Sequence, residues 1–277
     1  MNINFAILGG THGNEFTGIE VIKLIQELDT SEFINTYQCI LANPEAYKQQ
    51  KRFIDSDLNR GFGQNGTSQG HEAKRSAELK SQVKDKFDFI IDLHSTTTQM
   101  GLTIILTHTD ELSLKAACFL QDLMPEIKLI TTAEHNSEVP YTTAMAKSGI
   151  LIEVGAVAHN VLSAEYIIAS YKMVIELLNF DFSTEIDLEK RTYFQTTEHL
   201  YLPKEKGYYI HPNLEHNDLK ALKPNDPLFI NIAGDILYYE GKSEVYPFFI
   251  NEAAYQYQSL AMTLSDKRND LRVLLTS

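Results

Sequence analysis

The stretch GGTHGNEFTG, residues 9–18, sets His12 and Glu15 three positions apart in a glycine-rich turn that follows an apolar run from Ile3 to Leu8. A second histidine, His94, closes another apolar run in FDFIIDLHSTT, with Asp92 two residues before it and a Ser-Thr-Thr-Thr tract after it. Two imidazoles and one carboxylate delivered by two strand ends match the ligand set of a catalytic zinc, which keeps a further position for water. Neutral imidazole with carboxylate suits zinc, whereas magnesium and calcium take mostly oxygen ligands. Either histidine alone has an alternative as a hydrogen-bonded structural residue, and His-x-x-Glu occurs often by chance; the two together carry the metal reading. Asp92 is open between a structural carboxylate at a sheet end and a group that orients a ligand imidazole.

Hydrolysis at such a centre also needs a carboxylate to take and return a proton. GILIEVG places Glu153 at the end of an apolar run, where burying an acid is costly unless it is paired or working; the competing reading is a side chain pointing from the sheet end into solvent. Cationic groups cluster in one place, with Lys48, Lys51, Arg52 and Arg60 interleaved with Asp55, Asp57 and Asn59. They read either as a solvated loop face with internal ion pairs or as arginine forks that bind a carboxylate and stabilise an oxyanion. The other histidines, His71, His108, His135, His159, His199, His211 and His216, read as surface or packing residues.

These residues need elements to hold them. Over the first 180 residues, apolar runs (INFAIL, YQCILA, FDFIIDL, LTIILT, IKLITT, GILIEVG) alternate with segments of helical period at 15–28, 72–83, 111–123 and 163–178. That alternation predicts an α/β fold whose largely parallel or mixed sheet is flanked by helices, with ligands gathered at the carboxyl ends of strands. Residues 43–70 lack a clear period and read as a long functional loop. Beyond about residue 190 the chain turns to short extended pieces, proline and glycine turns and tyrosines. The expected organisation is a catalytic domain over 1–190 and a smaller β-rich domain over 191–277.

Composition narrows the function classes. Thirty-seven acidic against 24 basic residues give a net charge of −13, so nucleic acid or an anionic membrane would be repelled and a small-molecule substrate is expected. No apolar run reaches a membrane span and the N-terminus shows no leader, which points to the cytoplasm. Cys39 and Cys118 sit in apolar stretches as small hydrophobes rather than disulfide or zinc thiolates.

GGTHGNEFTG, NPEAYKQQKRFIDSDLNR, DLHSTTTQMG, IEVG, IHPNL and VYPFFINEAAY occur in the order and spacing of the aspartoacylase family, within the zinc carboxypeptidase-like superfamily. The chain resembles that family from Phe5 to about Tyr257. The resemblance implies a zinc carboxypeptidase-like mixed sheet, a β-rich C-terminal domain that narrows the substrate channel, and hydrolysis of an N-acyl amino acid to a carboxylate and a free amino acid. It implies one Zn2+ per chain on His12, Glu15 and His94, with Glu153 as general base and Arg52 beside the scissile carbonyl. It further implies Asn59 and Arg60 on the substrate α-carboxylate, Asp57 as a supporting acid, and Tyr141 and Tyr255 lining the substrate site. Relatives often form dimers, which leaves a homodimer open.

The resemblance departs at the side-chain pocket. Aspartate-specific members carry an arginine four residues after the tyrosine, where counting reaches Met145, and two lysines after the NEAAY tyrosine, where Gln258 and Ser259 stand. Lys147 or Lys242 would then be the cations left to reach the pocket. N-acylaspartate is the default substrate, with neutral or aromatic N-acyl amino acids as competitors. A desuccinylase or carboxypeptidase is the second reading, and a non-catalytic zinc or ligand-binding protein the third.

Overall fold

The structure, a computed structural model, describes residues 1–132, 138–204 and 207–276. Short runs of β-branched and aromatic residues favour extended backbone, and all six apolar runs are strands: β1 (Asn4–Gly9), β2 (Thr36–Leu41), β3 (Phe89–Ser95), β4 (Gly101–Leu106), β5 (Lys128–Thr131) and β6 (Ser148–Gly155). The four periodic segments are the helices α1 (Phe16–Gln26), α3 (Gly70–Val83), α4 (Glu111–Leu123) and α5 (Ala164–Asn179). The segment read as a long loop differs from that expectation. It contains α2 (Pro44–Lys48), started by Pro44 behind the Asn43 cap, and a 3-10 turn, Leu58–Arg60, capped by Asp57. Elements this short leave no period to detect.

The C-terminal strands are β7 (Tyr193–Tyr201), β8 (Tyr208–Ile210), β9 (Pro227–Asn231), β10 (Ile236–Tyr238) and β11 (Leu260–Arg268). They divide between two sheets. The longer β7 and β11 extend the large mixed sheet, whose order is β11-β7-β5-β4-β6-β3-β1-β2, while β8, β9 and β10 form a three-stranded sheet of their own.

Alternation decides what each face of the large sheet does. Ile91 and Leu93 of β3 and Ile150, Ile152 and Val154 of β6 join the core packed by α1, α4 and α5. Their sequence neighbours Asp92, His94, Leu151 and Glu153 therefore point to the other face. There, α3 covers the β1 and β2 side through Leu79 and Val83, and Phe248 and Phe249 of the C-terminal part cover Ile105, Ile130 and Leu151. Between those two covers lies the cavity that holds the site.

Candidate active site

Two strand ends and two glycines place the first group of side chains. After β1, Gly10 takes φ +69, a conformation costly for any residue with a Cβ. Gly13 then lets α2 press against the turn, since a Cβ there would lie 2.2 Å from Ala46 C and Tyr47 N. The Gly13 amide also donates to the Arg52 carbonyl at 3.1 Å, which joins the two conspicuous motifs of the sequence. From this turn His12 and Glu15 face His94, which emerges from β3 in register with Glu153 on parallel β6. All four are buried.

Each imidazole is braced from behind by a carboxylate. His12 Nε2 lies 2.9 Å from Asp57 Oδ1, and His94 Nε2 lies 2.8 Å from Asp92 Oδ2. Asp92, itself fully buried, also accepts from Thr11 Oγ1 at 2.8 Å and Thr142 Oγ1 at 2.5 Å. This pairing fixes each ring and directs its Nδ1 forward. His12 Nδ1 is then 2.7 Å from Glu15 Oε1, and His94 Nδ1 is 3.0 Å from Glu15 Oε2.

His12 Nδ1 is buried without a hydrogen bond of proper geometry. Its neighbour Glu15 supplies a carboxylate and His94 a second nitrogen, and one ligand atom from each of the three lies within 4.8 Å of the others. An N, O, N donor set with an unsatisfied buried nitrogen fits a zinc-type ion. Burial opposes ionisation of Glu15, but His12 and His94 outweigh it and hold the carboxyl well below its usual range. For His94, burial works against the charged ring, yet Asp92 and Glu15 raise its affinity for a proton well above the ordinary value.

The second group comes from the loop. Arg52 donates from Nη1 to Glu15 Oε1 at 2.9 Å and from Nη2 to Asp57 Oδ2 at 3.2 Å. Asp57 also accepts from the Asn59 amide at 2.8 Å, and Asn59 Oδ1 accepts from the Thr142 amide at 2.9 Å. The guanidinium of Arg60 lies over the Tyr141 ring at 5.2 Å and that of Arg52 over Tyr255 at 5.7 Å, so each arginine rests on an aromatic face. Burial would discharge both arginines, but Asp57 and its neighbours hold them above their ordinary values. Burial pushes the Tyr255 hydroxyl up to about 12, against the opposing pull of Arg60 and Arg52.

Apart from Asp57 and Asp92, which stand behind the imidazoles, the residues expected to hold the metal, act as base or hold the substrate backbone (His12, Glu15, His94, Glu153, Arg52, Asn59, Arg60, Tyr141 and Tyr255) all line one cavity of about 370 Å³. Glu153 is among them, and burial drives its carboxyl well above the usual range, against His94 and with Glu15 and Glu252. A carboxylate shifted in that direction holds a proton more readily than an exposed one.

Several expectations are corrected. Met145 does not line the cavity. It packs in the α3-side core with Ala6, Leu8, Phe62 and Ile90, because the 3-10 turn Thr142–Met145 directs it under the sheet. Lys147 and Lys242 are exposed and absent from the lining. Gln258 does line it, whereas Ser259 turns the chain away in a left-handed conformation. Among the described residues, Arg52 and Arg60 are the permanently charged cations of the wall.

Of the histidines read as surface or packing, His199 of β7 lines the cavity, with Nδ1 3.0 Å from Thr263 Oγ1. His108 is a packing residue, 1% exposed, and His135 lies outside the described residues. Cys118 is buried and Cys39 partly so, both as free thiols. Sequence reasoning missed Glu252, a buried carboxylate on the cavity wall that accepts from Thr96 Oγ1 and from the Thr97 amide at 2.9 Å. Its signal was an acid inside the apolar stretch VYPFFINEAAY.

Comparison with known proteins identifies the family. Residues 2–180 match the succinylglutamate desuccinylase/aspartoacylase catalytic domain, and residues 189–267 match the AstE/AspA barrel-sandwich hybrid domain. A protein of Trichodesmium erythraeum named "Probable aspartoacylase" is 36% identical over 97% of this chain and 98% of its own length. The zebrafish (Danio rerio) N-acyl-aromatic-L-amino acid amidohydrolase (carboxylate-forming) B is 30% identical over 95% of this chain and 92% of its own. The crystal structure of murine aminoacylase 3 superposes with a TM-score of 0.87 at 29% identity, covering 96% of both chains. A succinylglutamate desuccinylase from Vibrio parahaemolyticus shares the fold, with a TM-score of 0.67 at 16% identity. With its two matched domains and full-length relatives, the chain belongs to the succinylglutamate desuccinylase/aspartoacylase family of hydrolases.

Proposed function

We propose that this hydrolase is a zinc-dependent amidohydrolase that cleaves N-acyl amino acids to a carboxylate and a free amino acid. The observation that carries the reading is the convergence of two carboxylate-braced imidazoles and Glu15 on one point beside Glu153. A zinc ion held by His12, Glu15 and His94 would supply Lewis-acid polarisation of the scissile carbonyl and of the attacking water.

Glu153 takes the proton of that water and returns it to the departing amine, a role its raised affinity for protons suits. Arg52, held by the Glu15 and Asp57 carboxylates beside the proposed metal site, is the group we assign to stabilise negative charge on the carbonyl oxygen. Asn59 and Arg60 hold the substrate α-carboxylate, with Tyr141 beneath the Arg60 guanidinium. Tyr255 keeps its proton at neutral pH and serves as a donor to the substrate. Residues 1–190 thus carry the metal and the base, and 191–277 close the cavity with Tyr255. Free thiols at Cys39 and Cys118 fit a reducing compartment, and the cytoplasm is the proposed one. Among the described residues no helix is long and apolar enough to cross a membrane.

The same wall bears on the substrate side chain. Arg52 is engaged by Glu15 and Asp57, and Arg60 is assigned to the α-carboxylate, so no further arginine or lysine of the described wall is left for a side-chain carboxylate. Uncharged side chains should therefore compete with the default N-acylaspartate on comparable terms. A missing charge-assisted hydrogen bond is worth about 1.5–3 kcal/mol. The test is amine release from a panel of N-acetyl amino acids by zinc-loaded protein. We expect kcat/KM for N-acetylaspartate to exceed that of neutral or aromatic substrates by less than about tenfold, or to fall below it. A thousandfold preference for N-acetylaspartate would overturn the side-chain reading, and no turnover of any member would overturn the function.

A further inference from the structure

The arginine loop has no regular hydrogen-bonded structure between Lys51 and Asp57, yet it must deliver Arg52 and Asp57 to one another within a hydrogen bond. One fully buried side chain outside the cavity accounts for its shape. Glu72, in the first turn of α3, accepts the Ile54 amide on Oε1 at 2.8 Å and the Asp55 and Ser56 amides on Oε2 at 2.9 and 3.1 Å. Asn43 Nδ2 adds a fourth donor at 3.2 Å. Three consecutive backbone amides turned toward one carboxylate form an anion-binding concavity, here filled by the protein itself.

The loop answers in kind. Asp55 accepts the His71 amide at 2.7 Å, and Ser56 Oγ accepts the Gln69 amide at 2.8 Å, so the start of α3 and the loop cap each other. Gly70 takes φ +56 beside Asp55, where a Cβ would lie 2.1 Å from Oδ2, and only glycine permits that approach. Glu72 itself touches no cavity surface.

We propose that Glu72 is the positioning residue of the arginine loop. It gathers residues 54–56 so that Arg52 folds back onto Asp57 and Glu15, and Asn59 and Arg60 follow in register. The inference rests on the proposed amidohydrolase function, in which those arginines contact substrate.

The test is a double-mutant cycle in zinc-loaded full-length protein, using Glu72→Gln, Arg52→Ala and the combination, with zinc content and melting temperature measured for each. Glutamine keeps the size of the side chain but sets an NH2 group against backbone N–H donors. We expect Glu72→Gln to bind zinc normally and to lose about 10- to 100-fold in kcat/KM, as expected when a supporting contact is removed. Arg52→Ala should lose about 10²- to 10³-fold. The double variant should fall little below Arg52→Ala alone, because both changes remove one function. Multiplying losses, or unchanged kcat/KM in zinc-bound Glu72→Gln, would overturn the proposal. Glu72→Asp retains the charge and should show the same coupling with a smaller loss. Failure of both Glu72 variants to fold would also overturn it, because the carboxylate would then support the whole domain rather than the loop. Absence of turnover in wild-type protein brings down the proposed function and this inference together. Wild-type turnover that Glu72→Gln leaves intact removes the inference alone.

Discussion

The two halves of the cavity are built by opposite means. On one side, His94 and Glu153 ride on adjacent strands in register, and His12 and Glu15 follow a strand directly, so sheet geometry sets their spacing. On the other, Arg52, Asn59 and Arg60 stand on a segment with little regular structure, held by hydrogen bonds to Asp57 and to Glu72 of another element. The strand half has many neighbours to fix each group; the loop half depends on a few carboxylates. Substitutions in the first should act on the chemistry or the metal, and those in the second on the placement of charge.

The sharpest break in that contrast comes from Glu153→Gln. The amide keeps shape and hydrogen bonding but cannot take a proton, so zinc content should persist while kcat falls by about 10²- to 10⁴-fold. Steady-state kinetics with metal analysis on the same sample decides it, and an unchanged kcat would place the base elsewhere.

Next in size is Asp92→Asn. Asp92 bears three hydrogen bonds and sits behind His94, and removing its charge should weaken zinc binding about 10- to 100-fold with the fold retained. Competition with a chelator measures this. Unchanged affinity would show that the strand alone orients the ring.

The smallest effect separates the loop half by pH. Backbone amides at 54–56 and Asn43, outweighing burial, hold the Glu72 carboxyl below its ordinary value of 4.5. A lowered folded-state pKa contributes stability that is present above the unfolded value and lost as pH falls through the folded one. The melting advantage of wild type over Glu72→Gln should therefore be constant from pH 7 to about 5 and shrink at more acid pH. An advantage that persists at low pH would mean that packing rather than charge holds the loop.

How much of this was readable in the sequence follows the same division. His12 and Glu15 announce themselves in a glycine-rich turn just after an apolar run, and His94 and Glu153 as polar residues at the ends of such runs, while the six strands and four longer helices of the first 180 residues followed from period alone. Met145 misled because counting from Tyr141 assumes a fixed path, whereas the turn after Tyr141 sends that side chain into the core. Glu252 had a local mark, an acid inside the apolar stretch VYPFFINEAAY, that went unread, whereas Glu72 stayed hidden because nothing local marks it. Glu72 reads as an ordinary acid in a first helical turn, and its partners are 16 to 29 residues distant along the chain. The joining of β7 and β11 to the large sheet was equally silent, since pairing between residues far apart in the chain leaves no periodic trace.

In the proposed chemistry, the two carboxylate-braced imidazoles and Glu15 together hold one zinc. Anomalous diffraction at the zinc absorption edge from crystals of zinc-loaded protein tests it most directly. The predicted result is a single strong peak bounded by His12 Nδ1, a Glu15 carboxylate oxygen and His94 Nδ1, lost in His94→Ala. A peak elsewhere, or none at that point in fully loaded wild-type crystals, would contradict it.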